Sequence, residues 1–582
     1  MPQSDTSTWL KFALQQMAAE SYLDNIDLHN PEEVTRFLLL GNNREGFPET
    51  GFTRFTGTLA QGQAKDFVQR YQIVDHHAND ATGFSATLMK DTTTNTYTLS
   101  FRSTEFPNQV QGGDWERDGR PGADGEIFDH GFAFAQLVSM ERYYRQLVVD
   151  PSKLPPGAML NVTGYSLGGH LATIFTELHY QDANIQFGQT TTFNGAGRGR
   201  IVEQGQEGQP EVQSIRRMLL DLEARLLVFD PTGSRFQSGA AGNIYAEQAY
   251  DSARATTQAQ FVTFGTLSIG STGVGEARSG GAFDKITQLI GKGLTGTDAF
   301  FIANSGIHAP STAIMIEGQP QIEGRNEQGQ LQFGNTHSLT LLVDSLAVQA
   351  LFERLDPDLI QADIEGMLQA ASNARSDTFS TTADQHTAEG NTLERALDAL
   401  RTLFVPNALD KTTDFNDDTG GFGDLATRTE FYTHLAEVQA AVVNQTFSIE
   451  PLVQRDSQGH VVPRLTVAEL ALAAQDPGDS GLAYRYALKA LNPFAVIGVD
   501  YNALGHASNG VLTLFDPNTG FGEMTEQYLT DRAAFLLAQL DLTLANFPAP
   551  LIPSLTHYSD VATGTDERTQ LGSGMSSDLL CI

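Results

Sequence analysis

Residues 158–163 are apolar and β-branched in character, which predicts a strand. Beyond them Leu171, Ile174, Phe175 and Leu178 fall on one face of a helix reaching about residue 180. Residues 82–89 and 96–101 flank a polar turn at 91–95 and predict a hairpin. Apolar or aromatic positions at Phe132, Ala135, Met140, Tyr143, Tyr144 and Leu147 predict a helix ahead of the 158–163 strand, and residues 190–193 predict another strand. Alternating strands and helices imply an α/β domain around a mostly parallel sheet, with ligands bound at the carboxyl ends of its strands.

The pattern changes near residue 350. Residues 351–443 are helical in pattern, broken by polar stretches such as 372–391, and 483–499 and 510–542 are mixed. The expected organisation is therefore a catalytic α/β domain over 1–350 and an accessory region over 351–582, helical and then mixed α/β, without a catalytic signature. A chain of 582 residues is too long for one ordinary domain, which agrees with that division.

A net charge of −34, from 36 basic and 70 acidic residues, disfavours nucleic acid and anionic membrane surfaces as partners. The single cysteine, Cys581, excludes an internal disulfide framework and a thiolate metal cluster. No apolar run approaches the ~18 residues that span a bilayer, so no integral membrane association is expected. Residues 1–5 have neither a basic start nor an apolar stretch, so no conventional secretory signal is visible and a soluble protein is expected.

The chemistry concentrates at Gly164-Tyr165-Ser166-Leu167-Gly168, a G-x-S-x-G motif between the predicted strand and helix. With 55 glycines in the chain the motif alone is weak; its strand-turn-helix setting carries the inference. Such an elbow strains the serine, exposes its Oγ and needs small neighbours where backbones cross. Serine as nucleophile needs an imidazole to take its proton and a carboxylate to orient that imidazole, in the chain order Ser, acid, His. His337 follows a turn-forming asparagine and precedes the helical run 339–351, which favours it as the base; His308 is the alternative. His170, His179, His76 and His77 read as structural.

Phe101-Arg102-Ser103-Thr104, the run Gly164 to Gly169, Thr192-Phe193-Asn194-Gly195-Ala196-Gly197 and Asn335-Thr336-His337-Ser338-Leu339 together resemble the class 3 (fungal-type) lipases and the related bacterial hydrolases that often carry calcium-binding nonapeptide repeats. The resemblance covers about the first 350 residues and implies an α/β-hydrolase fold. Tyr165 stands where these lipases usually have histidine, and Ser103 where they usually have glycine. The resemblance implies oxyanion donors from the backbone of Leu167 and from Thr104, whose hydroxyl adds a third bond. It places the acid after a strand, where residues 243–251 end at Asp251; Glu247 competes for the role.

Two apolar segments, 215–229 and 286–307, either cover the site as a lid or pack on the core. Residues 414–424, and Asp114, Asp118, Asp124 and Glu126 in a glycine-rich loop, are read either as solvated acidic turns or as oxygen ligands for structural Ca²⁺. No G-G-x-G-x-D repeat occurs, so secretion without an N-terminal signal is inferred only from analogy and acidity. The sequence thus predicts a serine carboxylesterase or lipase that cleaves acylglycerols or similar medium-chain esters through an acyl-enzyme. Its predicted triad is Ser166, Asp251 and His337, and it needs no catalytic cofactor. The alternatives are a phospholipase A1 and a non-catalytic calcium-binding surface protein on the same fold.

Overall fold

β-Branched and apolar side chains at Leu160, Val162 and Thr163 are buried on both faces of a central strand, Met159–Tyr165, which a parallel sheet covered on both sides requires. The computed structural model of the chain describes residues 6–49, 51, 53–240, 242, 248–263, 276–293, 297–298, 306–316, 324–325, 331–332, 335–371, 392–408, 410–412 and 425–544. Its largest sheet has seven strands: β1 (Tyr71–His77), β2 (Ala86–Asp91), β3 (Thr96–Phe101), β4 (Met159–Tyr165), β5 (Gln186–Phe193), β6 (Ile286–Lys292) and β7 (Ser311–Met315), in that spatial order. The β1/β2 and β2/β3 pairs are antiparallel, and β3 through β7 run parallel. The protein is therefore mixed α/β with a large, mostly parallel central sheet.

Strand β2 begins later than its hydrophobic pattern suggests. Asp80 accepts hydrogen bonds from the Thr82 N–H at 2.7 Å and hydroxyl at 2.6 Å, so residues 80–83 turn, with Gly83 N donating to Asp80 O at 3.1 Å, before the chain extends. Some buried strand hydroxyls are paired: Ser100 Oγ lies 2.6 Å from Thr163 Oγ1 of the neighbouring strand, and Thr190 Oγ1 lies 2.7 Å from Thr176 Oγ1 of the covering helix.

Helices cover both faces. One face carries α3 (Phe134–Val149), α4 (Leu167–His179), α5 (Glu211–Phe229) and α6 (Gln248–Gln260); residues such as Phe134, Leu137, Leu171 and Phe175 form a cluster with Leu99, Leu160 and Val162. The other carries α1 (Thr6–Ala19) and α7 (Leu339–Leu355), packed over Met89, Phe193, Leu289 and Ile314. A shorter helix, α2 (Ala123–His130), lies between β3 and α3 in the chain.

The segments weighed as lids have other positions. In α5, Ile215, Met218, Leu219, Leu222 and Leu226 are buried on the core while Leu220 and Val228 face solvent. Residues 286–292 are strand β6, and residues 299–305 lie outside the described residues.

Helix α7 runs through residue 350, and its apolar side chains belong to one cluster with those of the later elements. These include helices Gln361–Ala371, Thr392–Phe404, Leu425–Ala441, Val467–Ala474, Asp479–Ala490 and Glu526–Leu544, and the antiparallel pair Ser448–Pro451 with Phe494–Ile497. A buried ion pair also ties Leu425–Ala441 to α7: Arg428 Nη2 and Nε donate to Asp344 at 2.8 and 2.9 Å, and the Tyr432 hydroxyl donates at 2.6 Å. Removing one partner of such a pair typically costs about 3–5 kcal/mol, because a charge is left buried alone. Among the described residues no helix is long and apolar enough to cross a membrane.

Candidate active site

The carboxyl ends of the parallel strands lie side by side: Phe101 of β3 pairs with Gly164, Tyr165 with Phe193, and Phe193 with Leu289. Residues just beyond these ends therefore converge. Ser166 follows β4 with φ 53° and ψ −117° and leads directly into α4. A left-handed non-glycine residue stores about 1–3 kcal/mol of strain, so its surroundings must hold it. They do so through the Ser166 N–H, which donates to Phe193 O at 3.1 Å, and through Ser166 O, which accepts from Gly169 N and Ala196 N, both at 3.0 Å. The motif glycines answer to close backbone approach. A Cβ on Gly164 would strike the Gly168 carbonyl, and one on Gly168 would strike the carbonyl oxygens of Phe101 and Arg102. Glycine at 168 thus lets the end of β3 lie against the N-terminus of α4.

His337 ends a short turn, Asn335–His337, immediately before α7, whose first turn is capped by Ser338 Oγ accepting from Leu341 N at 3.2 Å. Asn194, after β5, fixes this turn. Its amide donates to Thr336 O at 3.0 Å and accepts from Gly291 N at 2.9 Å, joining three chain segments in one contact. Tyr165 donates its hydroxyl to His337 O at 2.6 Å, and its ring centroid lies 5.3 Å from the imidazole. The tyrosine that departs from the lipase pattern therefore supports the histidine directly.

His337 Nε2 lies 3.2 Å from Ser166 Oγ, and His337 Nδ1 lies 2.8 Å from Asp298 Oδ2. Ser166 and His337 are each 5% exposed and Asp298 is fully buried. A carboxylate accepts only, so Nδ1 carries the proton and Nε2 presents its lone pair to the serine hydroxyl. Asp298 is reached from β6, and its N–H donates to Gly291 O at 2.8 Å.

The expected acid is corrected by this arrangement. Asp251 sits in the first turn of α6 with its side chain 56% exposed, 3.5 Å from Arg254, as an ordinary helix-surface pair. Residues 248–260 are rich in Ala and Gln, which favour helix over the strand end expected there; Glu247 lies outside the described residues. The signal for Asp298 is the run Ile286-Thr287-Gln288-Leu289-Ile290, a buried strand between Ser166 and His337 in the chain whose apolar content also reads as a lid. His308, the alternative base, is a buried strand residue whose ring abuts Gly197. His170 is fully buried; it accepts from Ala133 N at 3.1 Å and donates through Nδ1 to Gly197 O at 2.6 Å, and burial pushes its pKa down to about 4.

Leu167 is the first residue of α4, where the helix dipole is positive, and its side chain packs with Ala123 and Ile127 of α2. Thr104 follows β3. Its hydroxyl donates to the carboxylate of Asp124 at 3.0 and 3.1 Å, so the third oxyanion bond expected from that hydroxyl is directed elsewhere and its main-chain N–H is the group on offer. Burial pushes Asp124 up to about 7, against the opposing pull of the Thr104 hydrogen bond and the charge of His337.

A cavity of about 540 Å³ opens on Thr104 and His337, with an apolar wall of Phe106, Pro107, Tyr165 and Leu339. A larger cavity of about 890 Å³, between α1 and Leu425–Ala441, contains none of these groups.

The loop carboxylates considered for calcium engage separate protein partners. Asp114 pairs with Arg117; Asp118 accepts from Gln136 Nε2 at 2.8 Å and from Glu105 N at 3.2 Å; Asp124 accepts from Thr104; Glu126 accepts from the Tyr250 hydroxyl at 2.5 Å. Among the described residues no three His, Cys, Asp or Glu side chains converge as a metal site. Residues 413–424 lie outside the described residues.

Burial raises Asp114, Asp124 and Glu126 to about 7 and holds Asp118 well above the usual carboxylate range. The unfolded chain releases these protons near pH 4, so between about pH 4 and 7 the folded state binds more protons than the unfolded state, and stability falls as pH rises. The contribution is on the order of a few kcal/mol per carboxyl. Thermal unfolding is therefore expected at a higher temperature at pH 5.5 than at pH 8, with a smaller difference in Glu126→Gln. A melting temperature that is flat or rises over that interval would contradict the assignment. Comparison of the chain with protein-family models, with curated proteins and with solved structures finds no match.

Proposed function

We propose that the chain is a serine ester hydrolase of the α/β-hydrolase type, a carboxylesterase or lipase acting through Ser166, His337 and Asp298. One observation carries the proposal: the hydrogen-bonded file from Ser166 Oγ through His337 to buried Asp298, with the serine on a strained strand-to-helix turn. The resemblance of the four motifs to class 3 lipases supports the same reading, and the order Ser, Asp, His along the chain is the order of that fold.

In this mechanism Ser166 Oγ attacks the ester carbonyl carbon while its proton passes to His337 Nε2. The tetrahedral oxyanion is met by the main-chain N–H groups of Leu167 and Thr104. Collapse of the intermediate expels the alcohol, which takes the proton from His337 and leaves an acyl-serine. His337 then removes a proton from water, whose oxygen attacks the acyl carbon; collapse of the second intermediate returns that proton to Ser166 Oγ and releases the acid. Asp298 keeps the productive tautomer and stabilises the imidazolium in both halves.

The apolar wall of the cavity favours esters with more than a two-carbon acyl group. Each buried methylene contributes up to ~0.8 kcal/mol, so kcat/KM is expected to rise by tens of fold from acetate to hexanoate esters in soluble, monomeric form. A steady fall from acetate to octanoate would reject an extended acyl site.

Labelling with a fluorophosphonate followed by peptide mass spectrometry tests the proposal as a whole. The adduct is expected on Ser166. A folded protein that neither labels there nor hydrolyses any ester from acetate to octanoate would overturn the reading.

A further inference from the structure

The backbone of Ser103, Thr104 and Glu105 is held from an unexpected direction. Glu20, just past the end of α1 and far earlier in the chain, is 4% exposed and accepts from Ser103 twice: from the N–H at 3.2 Å and from the hydroxyl at 2.7 Å. Gln16, one turn before it, donates to Glu20 Oε1 at 2.7 Å and to Phe101 O at 2.8 Å, and accepts from Ser100 Oγ at 2.9 Å. On the other side of Thr104, the Glu105 N–H donates to Asp118 at 3.2 Å, and the Glu105 side chain accepts from the Tyr22 hydroxyl at 2.5 Å and from Asn79 at 2.7 Å. Thr104 is thus bracketed by two neighbours anchored to the segment 16–22 and to Asp118, at the end of the short helix Trp115–Asp118.

We infer that Glu20 is a positioning residue for the oxyanion-binding backbone, acting through Ser103 to fix the Thr104 N–H. The inference rests on the hydrolase reading above. Its physical basis is that oxyanion donors stabilise charge to the degree that they are aimed in advance, and a misplacement of about 1 Å can cost about 100-fold in rate. Serine at 103 has a use here that glycine would lack: its hydroxyl supplies the second bond to Glu20. Glu20 and Ser103 also line the edge of the cavity, so the prediction turns on kcat and oxyanion binding: cutting that bracket loosens a donor needed in the transition state.

The test compares Glu20→Ala, Glu20→Gln and Ser103→Ala in the full-length protein, using a soluble chromogenic ester and a trifluoromethyl ketone that adds to Ser166 and generates an oxyanion. Glu20→Ala is expected to lower kcat by about 100-fold with KM within about twofold of the wild type, and to weaken ketone binding in parallel. Glu20→Gln keeps one carbonyl acceptor and Ser103→Ala keeps the N–H bond, so each is expected to lose only about 3–10-fold. A merely structural role would lower the melting temperature or the active fraction without weakening ketone binding by the folded enzyme.

Unchanged kcat and unchanged ketone affinity in folded Glu20→Ala would overturn the inference, as would losses confined to KM. If Glu20→Ala does not fold, Glu20→Gln and Ser103→Ala decide the matter by the same two readouts. An inactive wild type that does not bind the ketone removes the hydrolase reading itself, a result distinct from an active wild type with unaffected variants.

Discussion

Replacing Ser166 by alanine is expected to lower kcat for ester hydrolysis by on the order of 10⁴-fold or more while leaving the melting temperature nearly unchanged. Only Oγ is lost. The backbone bonds that hold the elbow, from Ser166 N to Phe193 O and from Gly169 and Ala196 to Ser166 O, are main-chain contacts that alanine retains. His337→Ala is expected to match that loss, and the double variant to be no worse, because nucleophile and base act as one unit. Steady-state kinetics on a soluble ester, with thermal unfolding measured on the same samples, checks both statements. A purified Ser166→Ala protein with near wild-type activity would end the serine mechanism.

The second large effect separates two aspartates. In Asp298→Asn the carboxylate that accepts from His337 Nδ1 becomes an amide that can donate to it. The imidazole then turns to the tautomer with its proton on Nε2, facing Ser166 with a donor where an acceptor is needed. A loss in kcat of about 10⁴-fold is expected. Asp251→Asn is expected to stay within about twofold of the wild type, since Asp251 is exposed beside Arg254 on α6. The reverse pattern, with Asp251→Asn inactive and Asp298→Asn active, would return the acid to the position read from sequence.

That misassignment has a physical source. Strand β4, the elbow and helix α4 were legible because their determinants are local: apolar and β-branched residues, two glycines where backbones cross, and a 3.6-residue apolar period within some twenty positions. His337 was legible because it follows a turn-forming asparagine and precedes the helical run 339–351. The acid has no such local mark. Asp298 lies in a glycine- and threonine-rich stretch whose only help is β6, and β6 reads as an apolar segment that could as well cover a site as belong to a sheet. Asp251 looked plausible because residues 243–251 read as a strand running into a loop, where the lipase resemblance places the acid.

The sequence by itself determined the strand-turn-helix setting of Ser166, the place of His337 just before a helix, the alternation of strands and helices that makes the first half α/β, and the helical pattern of much of the second half, since each follows from short-range periodicity and backbone sterics. Only the tertiary structure decided which carboxylate reaches His337, that Tyr165 and Asn194 hold the histidine turn, that the Thr104 hydroxyl is turned to Asp124, and that Glu20 grips Ser103. These are contacts between residues from 20 to 172 positions apart. They are fixed by the register in which β3, β4, β5 and β6 lie side by side, and no local pattern encodes that register.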